Sequence, residues 1–206
     1  MSDYRAPVKD MRFVMDELAG FKELSQMPGY EDATPDLADA ILEEAAKFTG
    51  EVLAPLNRIG DQQGCKLTAN GVTTPPGWKE AYKAFCEAGW NGVSSPADFG
   101  GQGLPETVGF VMEEMLCSAN LSFSMYPGLS HGAYSAMMSH GSDEIKERFL
   151  HKLVDGTWSG TMCLTEAHSG TDLGIISTKA VPAGDGAYQI TGSKIFISAG
   201  EHDLTE

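Results

Sequence analysis

The sequence predicts an α+β multidomain chain, an all-α N-terminal bundle followed by the opening strands of a β domain. Two observations carry this expectation. From about residue 8 to residue 153 apolar side chains recur every three or four positions, the spacing of helices. Near Gly156 the period shortens to the alternation of strands. The change sets a domain boundary at 155–157, dividing 1–156 from 157–206.

The elements follow in order. Thr34-Pro35 reads as an N-cap followed by proline at the first helical position. From there Leu37, Ile41, Ala45, Phe48, Val52 and Leu56 form one apolar stripe, roughly five or six turns long. Pro55 predicts a kink or an early end. Pro76-Gly77-Trp78 opens a second helix through Ala88, with Trp78, Ala81, Tyr82 and Phe85 on one side and Gly89 as its stop. A third runs from Pro105 to about Ser118 on Val108, Val111, Met112 and Met115. A fourth, from about Leu121 to His140, is apolar almost all round and is expected at the centre. Ser142 caps a fifth, with Asp143 and Glu144 complementing its dipole. Beyond the boundary, 158–164 is β-compatible, 176–182 alternates, Gly184-Asp185-Gly186 signals a hairpin, and 187–190 and 194–198 read as strands.

Composition narrows the function. Fourteen Lys and Arg against 29 Asp and Glu give a net charge of −15, and nucleic acid is excluded as a partner because phosphate binding needs a basic stripe. No apolar run approaches the ~20 residues of a membrane helix. The first ten residues contain no apolar secretory core, so the cytoplasm is the expected compartment. Cys65, Cys86, Cys117 and Cys163 form no C-x-x-C pair, so buried free thiols are expected rather than zinc ligands or disulfides. The five histidines include no i, i+4 ligand pair, and no metal is expected. Gly100-Gly101-x-Gly103 follows a helix rather than a strand and reads as a connecting turn, not a dinucleotide loop. Glu113-Glu114 reads as a solvated helix face.

The chemistry concentrates in two short segments. Thr165-Glu166, followed by Gly170-Thr171-Asp172, makes the pattern T-E-x-x-x-G-[S/T]-D, which chance yields in about one chain of this length in a few thousand. Gly192, Lys194, Phe196, Ile197 and Ser198 make G-x-K-x-[W/F]-I-[T/S]. Residues 95–103 and the run Gly141-Ser142-Asp143-Glu144 with Lys146 and Leu150 add two looser elements in the same order. Together they resemble the acyl-CoA dehydrogenase family. His168-Ser169 and residues 198–204 are similar to its bacterial 3-methylmercaptopropionyl-CoA dehydrogenase branch. Ile145, Phe196 and Ala199 depart from the family's commonest residues.

The resemblance implies a helical domain leading into a middle β-barrel domain, FAD as cofactor, an acyl-CoA thioester as substrate, an electron-transfer flavoprotein as electron acceptor, and a homo-oligomer. It implies that Met162, Cys163, Leu164, Thr165, Gly170 and Thr171 cradle the flavin, with Phe196 and Ile197 against its rings and Ser198 near N5. Thr171 would also touch the coenzyme A moiety. Glu166 matches a structural position. The catalytic base of the family lies in a C-terminal bundle, so this chain reads as a truncated piece, without a catalytic residue of its own and inactive alone. Phe123, Met125, Tyr126, Met137 and Met138 read as core, with an acyl-channel lining as the alternative. Two other functions stay open: an acyl-CoA oxidase or alkylation-response relative of the same fold, and a non-enzymatic helical assembly module.

Overall fold

The computed structural model describes residues 4–206. Helices α1 (Val8–Glu17) and α2 (Phe21–Leu24) lead to α3 (Pro35–Phe48), whose first turn is capped by Thr34, its hydroxyl accepting from the Leu37 N–H at 3.2 Å. The buried stripe of α3 is not the expected one. It runs through Ala38, Leu42, Ala45, Thr49 and Leu53, while Leu37 is 39% exposed. The small residues Ala38 and Ala45 let neighbouring helices approach, and the larger Ile41, Phe48, Val52 and Leu56 pack at the flank of the core.

The interruption expected at Pro55 falls ahead of it, as a π-helical turn over Thr49–Leu53. The Thr49 hydroxyl donates back to the carbonyls of Ala45 (2.8 Å) and Ala46 (3.1 Å). The helix then resumes as α4 (Ala54–Gln63), with Pro55 in its first turn, where a missing N–H costs little. A short antiparallel hairpin follows, β1 (Lys66–Thr68) and β2 (Gly71–Thr73), which sequence periodicity did not anticipate.

Helix α5 (Trp78–Glu87) buries Trp78, Ala81, Tyr82 and Phe85 as the spacing predicts, and Gly89 ends it in a left-handed conformation at φ 75°. Three of these rings surround Phe123: Trp78 at 5.8 Å, Phe85 at 5.9 Å and Tyr82 at 6.3 Å. Residues 95–103 form the connecting turn, closed by the Gly101 N–H donating to Pro96 O and Gly103 N–H to Ser95 O.

The third and fourth expected helices join as α6 (Glu106–His140), broken at Asn120 (φ −160°, ψ 84°). The Asn120 side chain makes the break self-satisfying: Oδ1 accepts from Phe123 N–H at 3.1 Å, and Nδ2 donates to Leu53 O at 3.3 Å. The arm over 121–140 is not surrounded by protein as its composition suggested. It walls one side of the bundle, burying Phe123, Tyr126, Ser130 and Tyr134 and exposing Leu121 and Met125. Helix α7 (Asp143–Val154) packs on α6, capped by Ser142, whose hydroxyl accepts from Ile145 N–H at 3.3 Å.

After α7 the regular structure thins. Only β3 (Lys179–Pro182) and β4 (Tyr188–Thr191) form a ladder, in register from Lys179↔Thr191 to Pro182↔Tyr188. Gly184 and Gly186 take positive φ in their turn. All eight strand residues are exposed. The strands expected at 158–164 and 194–198 are not ladders, for a reason that lies in the site itself. The thiols also differ from expectation: all four are free, but Cys65 and Cys163 are exposed. No helix of the described residues is long and apolar enough to cross a membrane.

Candidate functional site

Glu166 organises the region. It is 2% exposed, and its carboxylate accepts from Ser177 N–H (2.8 Å), Ser177 Oγ (2.7 Å), Thr178 N–H (2.9 Å) and Lys194 Nζ (2.9 Å). Bonds from Thr178, Ser177 and Lys194 hold this carboxyl far below the usual carboxylate range. Ala167 and His168 turn the chain between reciprocal backbone bonds joining Glu166 and Ser169. Asp172 accepts from Gly174 N–H at 3.0 Å and starts the short 3-10 turn Leu173–Ile175.

The same pin joins the two signature segments. Ile195 N–H donates to Thr165 O at 2.9 Å, Lys194 Nζ to Leu164 O at 2.9 Å, and Thr161 Oγ1 to Ser198 O at 2.6 Å. Residues 161–166 and 194–198 therefore lie side by side and antiparallel. Two of the three links are side-chain bonds, and Phe196 (φ 56°) has a left-handed backbone, as has Ala199 (φ 51°) just beyond. That geometry replaces a ladder by an irregular seam. Each such residue stores on the order of 1 kcal/mol, retained only because its surroundings enforce it.

The segments carrying Thr165 and Ser198 are thus neighbours, in a register that sets Ile195 opposite Thr165 and Ser198 opposite Thr161. Met162, Cys163, Gly170, Thr171, Phe196, Ile197 and Ser198 are exposed along this face, Leu164 lies at its margin and Thr165 is half-buried. Phe196 is the extreme, an aromatic ring 85% exposed. Among the described residues the hydroxyls of Thr165, Thr171 and Ser198 have no intramolecular partner, and neither have the N–H groups of residues 162–165, 170 and 171. Such a surface offers donors and acceptors to a planar polar ligand and cation-free N–H groups to an anion.

Phe123 and Tyr126 belong to the core. Met137 and Met138 flank a smaller cluster around Leu150 and Leu153, and Met125 is exposed. A cavity of about 260 Å³ lies between the two arms of α6 and residues 90–95, and Glu113 lines it, half-buried rather than solvated as expected. Another, of about 530 Å³, lies among α4, Trp78 and Tyr126. Sequence reasoning missed the roles of Thr161, Ser177 and Thr178. It also missed the segment 202–205, which reaches back to Thr74 and Ser159. The one available signal was the strongly polar run Glu201-His202-Asp203 after the apolar Ile195-Phe196-Ile197.

Residues 35–157 match the acyl-CoA dehydrogenase N-terminal domain, and the chain belongs to the acyl-CoA dehydrogenase family. Among curated relatives, the 3-methylmercaptopropionyl-CoA dehydrogenase of Ruegeria pomeroyi is 45% identical over 203 residues, covering 98% of this chain and 34% of its own length. A butyryl-CoA dehydrogenase of Syntrophomonas wolfei is 35% identical over 207 residues, with the same coverage. The solved butyryl-CoA dehydrogenase of Megasphaera elsdenii superimposes with a TM-score of 0.66 at 26% identity, over 80% of this chain and 41% of that one. The chain thus spans about a third of the length of the curated relatives it matches. The branch resemblance read from residues 168–169 and 198–204 agrees with the first of them.

Proposed function

We propose that this chain supplies the helical domain and the flavin-facing wall of an FAD-dependent acyl-CoA dehydrogenase, dividing at 155–157. The observation that carries the reading is the exposed seam on which Thr165, Thr171 and Ser198 offer unpartnered hydroxyls beside free N–H groups. The residues present fit FAD. Free amides and a hydroxyl at 170–171 suit a pyrophosphate in a chain of net charge −15, and an exposed Phe196 suits a ring system. Bound there, FAD supplies the hydride acceptor for α,β-dehydrogenation of an acyl thioester.

In this reading the chain binds and orients and takes no proton. Thr165 meets the polar edge of the rings, and Met162, Cys163 and Leu164 present backbone to them. Gly170 allows close approach, Ile197 adds apolar contact, and Ser198 both donates and accepts near N5. Thr171 also reaches the coenzyme A moiety. Glu166 is no base, because five groups already crowd it: four donors and the His168 ring at 3.4 Å. The base is assigned to the two thirds of the relatives that this chain does not span. We assign an electron-transfer flavoprotein as acceptor, a homo-oligomeric state and a cytoplasmic location on the family resemblance.

Anaerobic addition of butyryl-CoA or 3-methylmercaptopropionyl-CoA to the full-length protein should bleach its flavin. Bleaching that persists slowly in air supports a dehydrogenase. Rapid reoxidation with peroxide makes it an oxidase, and a colourless protein overturns the reading.

A further inference from the structure

Beyond Ser198 the backbone crosses to the helical part and is fastened there by a polar cluster. Asp203 accepts from Thr74 N–H at 2.9 Å and Thr74 Oγ1 at 2.7 Å, and faces Lys79 Nζ at 3.5 Å. The His202 ring accepts the Leu204 N–H at Nδ1 (3.2 Å), which leaves the proton on Nε2 to donate to Ser159 Oγ at 3.0 Å. Its edge meets Tyr126 at 5.0 Å and 89°. Ser198 is therefore held at its own carbonyl by Thr161, and the chain just after it is fastened by this cluster. Left-handed Phe196 and Ala199 bracket it, and neither is a glycine. Such backbone relaxes once its surroundings loosen.

We infer that His202, held by Ser159 and the Leu204 amide next to the Thr74-anchored Asp203, is a positioning residue that seats Ser198 on the flavin-facing seam. The inference rests on the reading of Ser198 proposed above. It goes further by giving the seat a protonation state. The groups facing His202 are Asp203 beside it, Tyr126 of α6 with Cys65 3.8 Å behind its hydroxyl, and Lys79 of α5 through Asp203. Burial pushes His202 below its ordinary value of 6.5, and Asp203 opposes this in part. Protonation places a hydrogen on Nδ1 and forfeits the Leu204 bond. The seat is thus intact above pH 6.5 and loosens as pH falls below it.

The test uses the full-length protein with His202→Ala, His202→Gln and Asp203→Asn. Amide hydrogen exchange over 197–205 should quicken about tenfold in His202→Ala and be restored by His202→Gln, which can both accept and donate. That measurement needs no flavin, so a colourless wild type sinks the functional reading while the seat is still judged. In flavin-loaded protein, His202→Ala should shift the visible flavin band and lower kcat about 10- to 100-fold with little change in KM. The wild-type band should show one ionisation below pH 6.5 that His202→Gln lacks. Unchanged exchange over 197–205 in His202→Ala overturns the inference. So does an unshifted band, or an ionisation that survives in His202→Gln.

Discussion

Replacing Asn120 with alanine removes two bonds from the break in α6, and the structure gives each a magnitude. Oδ1 caps the second arm through Phe123 N–H, and losing an N-cap costs about 1 kcal/mol. Nδ2 satisfies the carbonyl of Leu53, in a site where Asn120 is 1% exposed and Leu53 fully buried, and an orphaned buried acceptor adds about 1–3 kcal/mol. Asn120→Ala should therefore cost about 2–4 kcal/mol, read as a lower urea midpoint at unchanged slope. At about 2–4 °C per kcal/mol for a domain of this size, melting should fall by roughly 5–15 °C. Asn120→Asp separates the terms. It keeps the capping oxygen but sets a second oxygen against Leu53 O, and should be at least as damaging as alanine. A loss under about 0.5 kcal/mol in Asn120→Ala, or a wild-type midpoint in Asn120→Asp, would refute this account of the break.

Other outcomes follow from the same coordinates. Phe123→Ala empties the space among Trp78, Tyr82 and Phe85 and should cost about 3–5 kcal/mol by urea unfolding. Gly101→Ala drives a methyl into the Ser95 carbonyl and should destabilise by about 1–3 kcal/mol, seen as a lower melting point. Because the native Glu166 carboxyl lies below its ordinary value of 4.5, its contribution is fully present above pH 4.5 and disappears as pH drops through the lower native value. Exchange of the Ser177 and Thr178 amides, corrected for its intrinsic pH dependence, should rise only in that acid range, and Lys194→Met should move the onset upward. A thiol titration at pH 8 should label exposed Cys65 and Cys163 quickly, while Cys86, pushed up to about 11 chiefly by burial, reacts slowly. FAD should protect Cys163 but not Cys65.

What the sequence disclosed depended on whether a signal was local. The α5 stripe, the Ser142 and Thr34 caps and the Gly184–Gly186 turn each rest on residues within one or two turns of each other, and all appear as read. The α3 stripe holds at Ala45 but is otherwise displaced by one position, to Ala38, Leu42, Thr49 and Leu53, because periodicity weighs apolar size and passes over the small Ala38 and the hydroxyl of Thr49. The π turn before Pro55 shifts helical register without any residue that announces it. The hairpin β1–β2 carried a signal in Asn70-Gly71, but its strands are three residues each, too short for a period to register. At the site, residue types marked Thr165 and Ser198. The bonds that fasten their segments, made by Lys194, Thr161 and Asp203, span 28, 37 and 129 positions, and no spacing rule reaches that far.

The carboxylate of Glu166 is saturated by the protein's own donors, and this bears on how a ligand would be taken up. The contour of the seam is fixed by internal bonds, so a cofactor taken up there would find a mould already cast and would lose little affinity to ordering the backbone. Uptake by the apoprotein would then be governed by desolvation and ring contact rather than by folding of the loop.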